Sequence, residues 1–257
     1  MGLGLKSLGD TLSFVKNNPK VFFLAFLSSL SEVPLSFIML SDLNLFWLSN
    51  LFYLISAMVA CLVFSLVLSV IVIGAFPLAV YQSLKKKEIK LTETLKSSLK
   101  KFGKVLLTLI LLASIFIGII SIPFSFLILS IFLNLQYLFL IFIILLIPFL
   151  ILFIFFSLRL SLAIPILMLE NKSSLESIKE SWKKTKGRVW SILGGSLLLT
   201  LVMIIISLPI NLLAIIVEEI LQTPYTSTLT NIITSTINLA VSTPFATIVY
   251  LNIKKKL

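Results

Sequence analysis

Six apolar runs, at about residues 20–40, 51–83, 104–133, 137–169, 188–217 and 228–252, divide this chain. Each is longer than the ~20 residues that carry a helix across a bilayer. Between them the charge is sorted. Twenty of the 21 Lys and Arg residues fall in four clusters, Lys6–Lys20, Lys85–Lys104, Lys172–Arg188 and Lys254–Lys256, and the other, Arg159, lies inside a run. The loops around Ser41–Asn50, Asn134–Gln136 and Glu218–Thr230 carry no Lys or Arg. Basic loops stay cytoplasmic during insertion. The pattern predicts an all-α integral protein of the plasma membrane with six spans and both termini in the cytoplasm.

Composition agrees, since 59% of the residues are apolar, against about 45–50% in a soluble domain. The net charge of +11 does not form one soluble basic domain, so nucleic acid is not the expected partner. The lysines flank spans, where the anionic inner leaflet attracts them by roughly 1 kcal/mol each. Cys61 is the only cysteine and there is no His. A disulfide framework is thereby excluded, and so are the usual proton shuttle and the commonest metal ligand. The first apolar run lacks a short core followed by a small-residue cleavage site and reads as a retained span. Lys outnumbers Arg 19 to 2, which fits an AT-rich prokaryotic genome.

The chain also repeats every 83–86 residues. Leu12–Val21, Leu95–Val105 and Ile178–Val189 are each a basic amphipathic segment leading into a span. The first span of each unit holds a proline (Pro34, Pro123, Pro209), as does the second (Pro77, Pro165, Pro244). Residues 1–257 thus read as one membrane domain of three units, about 5–87, 91–170 and 174–256, each an amphipathic helix plus a two-span hairpin. Three units that each cross twice share one orientation, a parallel repeat. In the second unit Leu91, Leu95, Leu99 and Phe102 lie within about 80° on a helical wheel, opposite Lys96, Lys100 and Lys104. In the third, Leu175, Ile178 and Trp182 make the stripe, and Ser173 with Glu176 has capping-box spacing. Leu95, Leu99, Phe102, Ile178 and Trp182 are the expected interfacial anchors. The run 137–169 would extend roughly 50 Å as one helix, so it must tilt or bend, with Pro148 and Pro165 as the places to do so.

Polar groups inside the runs are few. Glu32 and Arg159 fall at matching depths, roughly 18 Å and 17 Å from their nearest basic-side ends. A lone charge at the bilayer centre costs about 2.5–3.5 kcal/mol, which favours an intramembrane pair or a shared wet cavity. Two other arrangements are open: Glu32 reaching outer headgroups, or Arg159 snorkelling inward. Asn231, Ser235, Asn238 and Ser242 share one face of the last run, for packing or for lining water. Ser114, Gly118, Ser121 and Ser125, and Ser191 with Gly194, Gly195 and Ser196, read as close-packing surfaces. No Ser–His or paired-Asp protease, no P-loop and no His/Cys metal cluster is present in the sequence. The expectation is a protein that is not an enzyme and takes no cofactor.

Arg159-Leu, Pro165-x-Leu, Glu170 and the stretch Ser174-Leu-Glu-Ser-Ile-Lys-Glu-Ser-Trp-Lys-Lys-Thr-Lys-Gly187 resemble the membrane domain attached to some bacterial glycerophosphodiester phosphodiesterases. They are also similar to a broad group of uncharacterised prokaryotic six-helix membrane proteins. The opening Phe14-Val-Lys-Asn-Asn-Pro19 and the ending Pro244 to Tyr250 resemble archaeal members. The resemblance implies a six-span fold and no known activity, and no catalytic residue carries over, because the 257 residues hold only the spans and not the catalytic barrel of the fused enzymes. Two functions are consistent with this: a scaffold or accessory protein organising lipids or partner proteins at the inner leaflet, and a small-solute or ion permease.

Overall fold

The computed structural model describes residues 2–33, 51–85, 88–221 and 225–255. Pro34, the loop at 41–50, Lys86, Lys87 and Lys256 fall outside the described residues, as does the side chain of Glu32. Everything described is helix and short turn. The helices are α1 (Leu3–Asn17), α2 (Lys20–Ser29), α3 (Leu51–Leu84), α4 (Leu91–Lys100), α5 (Phe102–Leu133), α6 (Gln136–Leu160), α7 (Ala163–Glu170), α8 (Ser174–Thr185), α9 (Val189–Leu221) and α10 (Tyr225–Lys254). A 3-10 turn, Leu30–Glu32, follows α2. Five segments are long and apolar enough to cross a membrane: Ile55–Leu84, Phe102–Leu133, Gln136–Glu170, Val189–Ile220 and Thr228–Lys254.

The breaks have local causes. α5 and α7 each end on an asparagine in the left-handed region, Asn134 (φ 54°) and Asn171 (φ 56°), the conformation that closes a helix and that asparagine tolerates. The run that seemed too long for one helix is broken at Ser161–Leu162, just ahead of Pro165. A proline ring excludes the carbonyl four residues back, which here is Ser161. Pro148 lies within α6 without interrupting it.

The packing is cyclic. α10 packs on α2, α3 on α5, and α6 on α9. The short amphipathic helices close the same ring: α1 lies on α9 and α10, α4 on α3, and α8 on α6 and α7. The core lies at the end of the bundle that carries the basic clusters, called here the basic end. Val21 and Leu24 of α2, Val72 and Phe76 of α3, Ile166 of α7, Ile192 of α9 and Ile248 and Tyr250 of α10 are buried there in one cluster. The other half is open. Ile117, Phe132, Ile144 and Ile205 are all exposed, and α5 and α6 meet mainly each other, through ring pairs such as Phe116–Phe153 at 4.8 Å.

Candidate functional site

The three amphipathic helices define the basic end, and each has three sectors. The sector against the spans is small and polar in α4 (Thr94 and Ser98) and α8 (Ser174, Ser177, Ser181 and Thr185), and in α1 it mixes Gly4, Ser7 and Thr11 with Leu3, Phe14 and Val15, all buried. Short hydroxyls let backbones approach and donate to span carbonyls. Ser98 Oγ donates to the Ile71 carbonyl at 2.6 Å. Ser181 Oγ donates to the Arg159 carbonyl at 2.7 Å, and Ser174 Oγ to the Lys104 carbonyl at 2.9 Å. α1 comes closest of all: its Gly4 N–H donates to Ser191 Oγ at 3.0 Å, and a Cβ on Gly4 would stand 1.9 Å from the Ser191 carbonyl oxygen.

The apolar sector lies beside this buried face and is docked only in part: Leu8 of α1 and Leu91 and Leu95 of α4 pack against the core. Leu5 and Leu12 of α1, Leu99 of α4, and Leu175 and Trp182 of α8 are exposed. Of the five expected anchors, Leu99 is exposed, Trp182 is packed against Phe156 of α6 with its outer edge exposed, and Leu95, Phe102 and Ile178 are partly buried. The lysine sector faces away from the bundle. The Ser173/Glu176 capping box forms as its spacing predicts, with Ser173 Oγ accepting from the Glu176 N–H and Glu176 Oε2 accepting from the Ser173 N–H at 3.1 Å. The backbone N–H of Ser173, with its hydroxyl, holds the Glu176 carboxyl below its usual range.

An ionic cluster ties α7, α8 and α10 together. Glu170 Oε1 accepts from Lys184 Nζ and Lys254 Nζ, each at 3.1 Å, and from the Tyr250 hydroxyl. Lys172 Nζ lies 3.2 Å from Glu170 Oε2 and also pairs with Glu180, which in turn pairs with Lys184 at 2.9 Å. Lys184 Nζ stands 4.9 Å from the centre of the fully buried Tyr250 ring, a cation–π contact. Two similar ties close the ends of the other amphipathic helices. Ser83 Oγ donates to Asn18 Oδ1 at 3.0 Å. Lys101 Nζ donates to the Met168 carbonyl at 3.1 Å, and burial, then the neighbouring Lys104, lowers its ammonium pKa. On α10, Asn252 Nδ2 donates to Ser7 Oγ at 3.1 Å and Asp10 Oδ2 at 2.9 Å.

Sequence reasoning missed the hydroxyl faces and the Glu170 cluster. The faces had a signal: Ser174, Ser177, Ser181 and Thr185 step by 3, 4 and 4 residues. The cluster had none, because Glu170 and Tyr250 are 80 residues apart.

Arg159 is buried where α6 meets α8. Its guanidinium stacks 4.1 Å from the centre of the Trp182 ring and 5.7 Å from that of Phe155. Its Nε has no hydrogen-bond partner among the described residues. It lies at the level of the last turn of α8, whose Ser181 and Thr185 hydroxyls take its carbonyl. Of the expected polar face on α10, Asn231 and Ser242 are exposed, and Ser235 and Asn238 partly buried. The inward polar groups of that helix are others: Thr236 Oγ1 hydrogen-bonds Ser29 Oγ at 2.7 Å. Nearby, Ser31 bonds Ser69 Oγ at 3.3 Å and takes the Ser65 hydroxyl on its carbonyl. The Ser191/Gly195 stripe is a packing surface, with α1 lying on it. Ser114, Gly118, Ser121 and Ser125 are exposed.

Three grooves open at the basic end, each beside one amphipathic helix. The α1 groove, about 720 Å³, has Lys6, Asp10, Asn18, Ser83, Glu88 and Lys255 in its wall. The α4 groove, about 530 Å³, has Lys85, Glu88, Lys90 and Glu93. The α8 groove, about 860 Å³, is lined by Lys172, Glu176, Lys179, Glu180, Lys183, Lys184, Lys186 and Arg188, six cations against two carboxylates. A further crevice between α5 and α6 is apolar, lined by Phe124, Phe142 and Phe149 among others. Among the described residues, no three His, Cys, Asp or Glu side chains gather as a metal site would require. The charged groups gathered at this end are those of the Glu170 cluster and the groove lysines.

No curated protein and no solved structure matches this chain. Residues 5–253 match a domain of unknown function, DUF7847, and the chain belongs to that family.

Proposed function

We propose that this is a non-enzymatic, six-span plasma-membrane protein that organises lipids or partner proteins at the cytoplasmic leaflet. The observation that carries the proposal is the orientation of α1, α4 and α8. Each helix turns one face to the spans and leaves part of its apolar edge (Leu5 and Leu12, Leu99, Leu175) and several lysines (Lys6 and Lys16, Lys96 and Lys100, Lys179 and Lys183) exposed. A helix held in the headgroup plane has this division. The sixth span is the run that begins with α2, and its continuation lies outside the described residues.

The threefold repeat supports the same reading. Thr11, Thr94 and Ser177 stand 83 residues apart and are all buried; so do Val15, Ser98 and Ser181. Asn18, Lys101 and Lys184, again 83 apart, make the three ties at the helix ends. Three equivalent platforms on one leaflet suit a scaffold. The membrane domain of glycerophosphodiester phosphodiesterases, which the sequence resembles, would then share the platform and not the reaction.

The permease reading rests on the midspan polar groups, including Glu32 and Arg159. Ser29, Ser31, Ser65, Ser69 and Thr236 bond one another directly, and Arg159 stacks on an aromatic ring. Direct contacts of this kind favour packing over a water path. The test is reconstitution into sealed vesicles carrying brominated acyl chains. In a Trp47→Phe background, emission from Trp182 and Trp190 should be quenched, and solute flux should equal that of empty vesicles. Flux that Glu32→Gln abolishes would reverse the order of the two readings.

A further inference from the structure

We propose that the α8 groove is a binding site for the headgroup of an anionic lipid carrying more than one phosphate. This deepens the proposed function and rests on it. The argument starts from which charges are already used. Of the six cations in the groove, Lys172 and Lys184 are committed to Glu170 and Glu180. Lys179, Lys183, Lys186 and Arg188 have no carboxylate within salt-bridge reach among the described residues. Glu176, the remaining acid, is occupied by the Ser173 capping box. Four uncommitted cations therefore line one concavity. Like charges so placed repel each other unless an anion joins them.

The other two grooves act as internal comparisons. The α1 and α4 grooves each set two cations against two carboxylates, Lys6 and Lys255 against Asp10 and Glu88, and Lys85 and Lys90 against Glu88 and Glu93. They have the same location beside an amphipathic helix, and their described lining residues carry no excess charge. Among the described residues the excess of cations is in the α8 groove.

Depth favours a lipid over a soluble anion. Trp182 and Trp190 are exposed, Trp190 at 85%, and they bracket the turn that carries Lys186 and Arg188. Tryptophan settles at the membrane–water interface. Lys186 and Arg188 then stand at the phosphate level, and Leu175 (57% exposed) continues the apolar edge along α8. A headgroup can reach the cations while its chains lie along the exposed apolar face of α9, where Leu197, Leu201 and Ile205 are uncovered. More than one phosphate suits four cations, one of them a guanidinium able to bind phosphate in bidentate fashion.

The test uses the full chain in mild detergent, mixed with equal amounts of phosphatidylcholine, phosphatidylglycerol and a cardiolipin. Retained lipid is read by native mass spectrometry. The diphosphate lipid should exceed phosphatidylcholine by about a hundredfold, given roughly one tenfold step per two contacted cations. The variant Lys179→Gln/Lys183→Gln/Lys186→Gln/Arg188→Gln should bring that ratio near one. The variant Lys96→Gln/Lys100→Gln, which removes exposed charge from α4, should leave it within about twofold. An equal loss in both variants, or no preference in the unaltered chain, overturns the site. So does displacement by inorganic phosphate as effective as by the lipid, which would make the anion a soluble one. Trp182 and Trp190 quenching by brominated lipid separates the levels. Quenching without selectivity removes this site and keeps the proposed function, whereas no quenching removes both.

Discussion

The basic end and the opposite half of this bundle are made of the same helices and are held in different ways. At the basic end, α1, α4 and α8 pin the spans through hydroxyl–carbonyl bonds, close backbone contacts and the Glu170 cluster. In the opposite half, α5, α6 and α9 carry apolar side chains that touch few protein neighbours, as the exposure of Ile131, Phe132, Ile147 and Leu213 illustrates. Lipid tails are as apolar as leucine, so there is no hydrophobic gain in bringing those halves together. The specific geometry of the fold is therefore written at one end, where polar atoms must find partners. The lipid is the solvent for the rest.

The largest expected effect breaks the closest contact. Gly4→Leu forces a side chain into the Ser191 carbonyl and the Gly195 backbone. It should cost about 3 kcal/mol or more and abolish the monodisperse peak in detergent chromatography. Gly118→Leu, in the open half with nothing near its would-be Cβ, should elute as the unaltered protein does. If both behave alike, the contrast between the two ends is wrong.

Next comes the ionic cluster. Glu170→Gln leaves Lys184, whose side chain is 14% exposed, with one carboxylate partner fewer. The loss should be about 2–3 kcal/mol, below that of a fully buried pair because Lys254 is half-exposed. Thermal unfolding followed by tryptophan emission measures it. Tyr250→Phe removes only the hydroxyl donated to Glu170 and should cost about 1–2 kcal/mol. If Glu170→Gln unfolds no earlier than Tyr250→Phe, the cluster does not hold α7 to α8 and α10.

A smaller effect tests the hydroxyl faces. Ser98→Ala removes only the hydroxyl, and with it the 2.6 Å bond to the Ile71 carbonyl, at about 0.6–1.5 kcal/mol. Ser125→Ala, whose hydroxyl bonds only within its own helix, should change stability by less than about 0.5 kcal/mol. The smallest effect is a pH dependence. Glu176 is held below its ordinary pKa by Ser173. Its capping contribution is complete above the ordinary carboxylate range and lost as pH falls through the depressed value. After correction for the intrinsic pH dependence of amide exchange, the protection of the first turn of α8 should fall on acidification, and Glu176→Gln should lack that fall.

The sequence made the apolar runs legible because only a bilayer explains their length. It made the start of α8 legible through Ser173 and Glu176, and the bend before Pro165 through the missing N–H. The buried faces of α4 and α8 were not legible as such. In a soluble protein serine and threonine are mostly exposed, so the apolar stripe of each helix is the more legible face, and it is read as the membrane anchor without saying which face meets the spans. Arg159 was legible as a charge that must be satisfied. Its aromatic partner Trp182 arrives from a helix two elements later in the chain. Gly4 carried no signal at all, since a glycine near a terminus looks like any flexible residue until Gly195 is brought against it.

Membrane sidedness is the claim on which the rest depends. In a Cys61→Ser background, single cysteines at Lys96, Lys179 and Lys255 would be probed in intact cells with a membrane-impermeant maleimide. All three should stay unlabelled until the cells are opened, and then react together. Labelling of any one of them from outside would contradict the account.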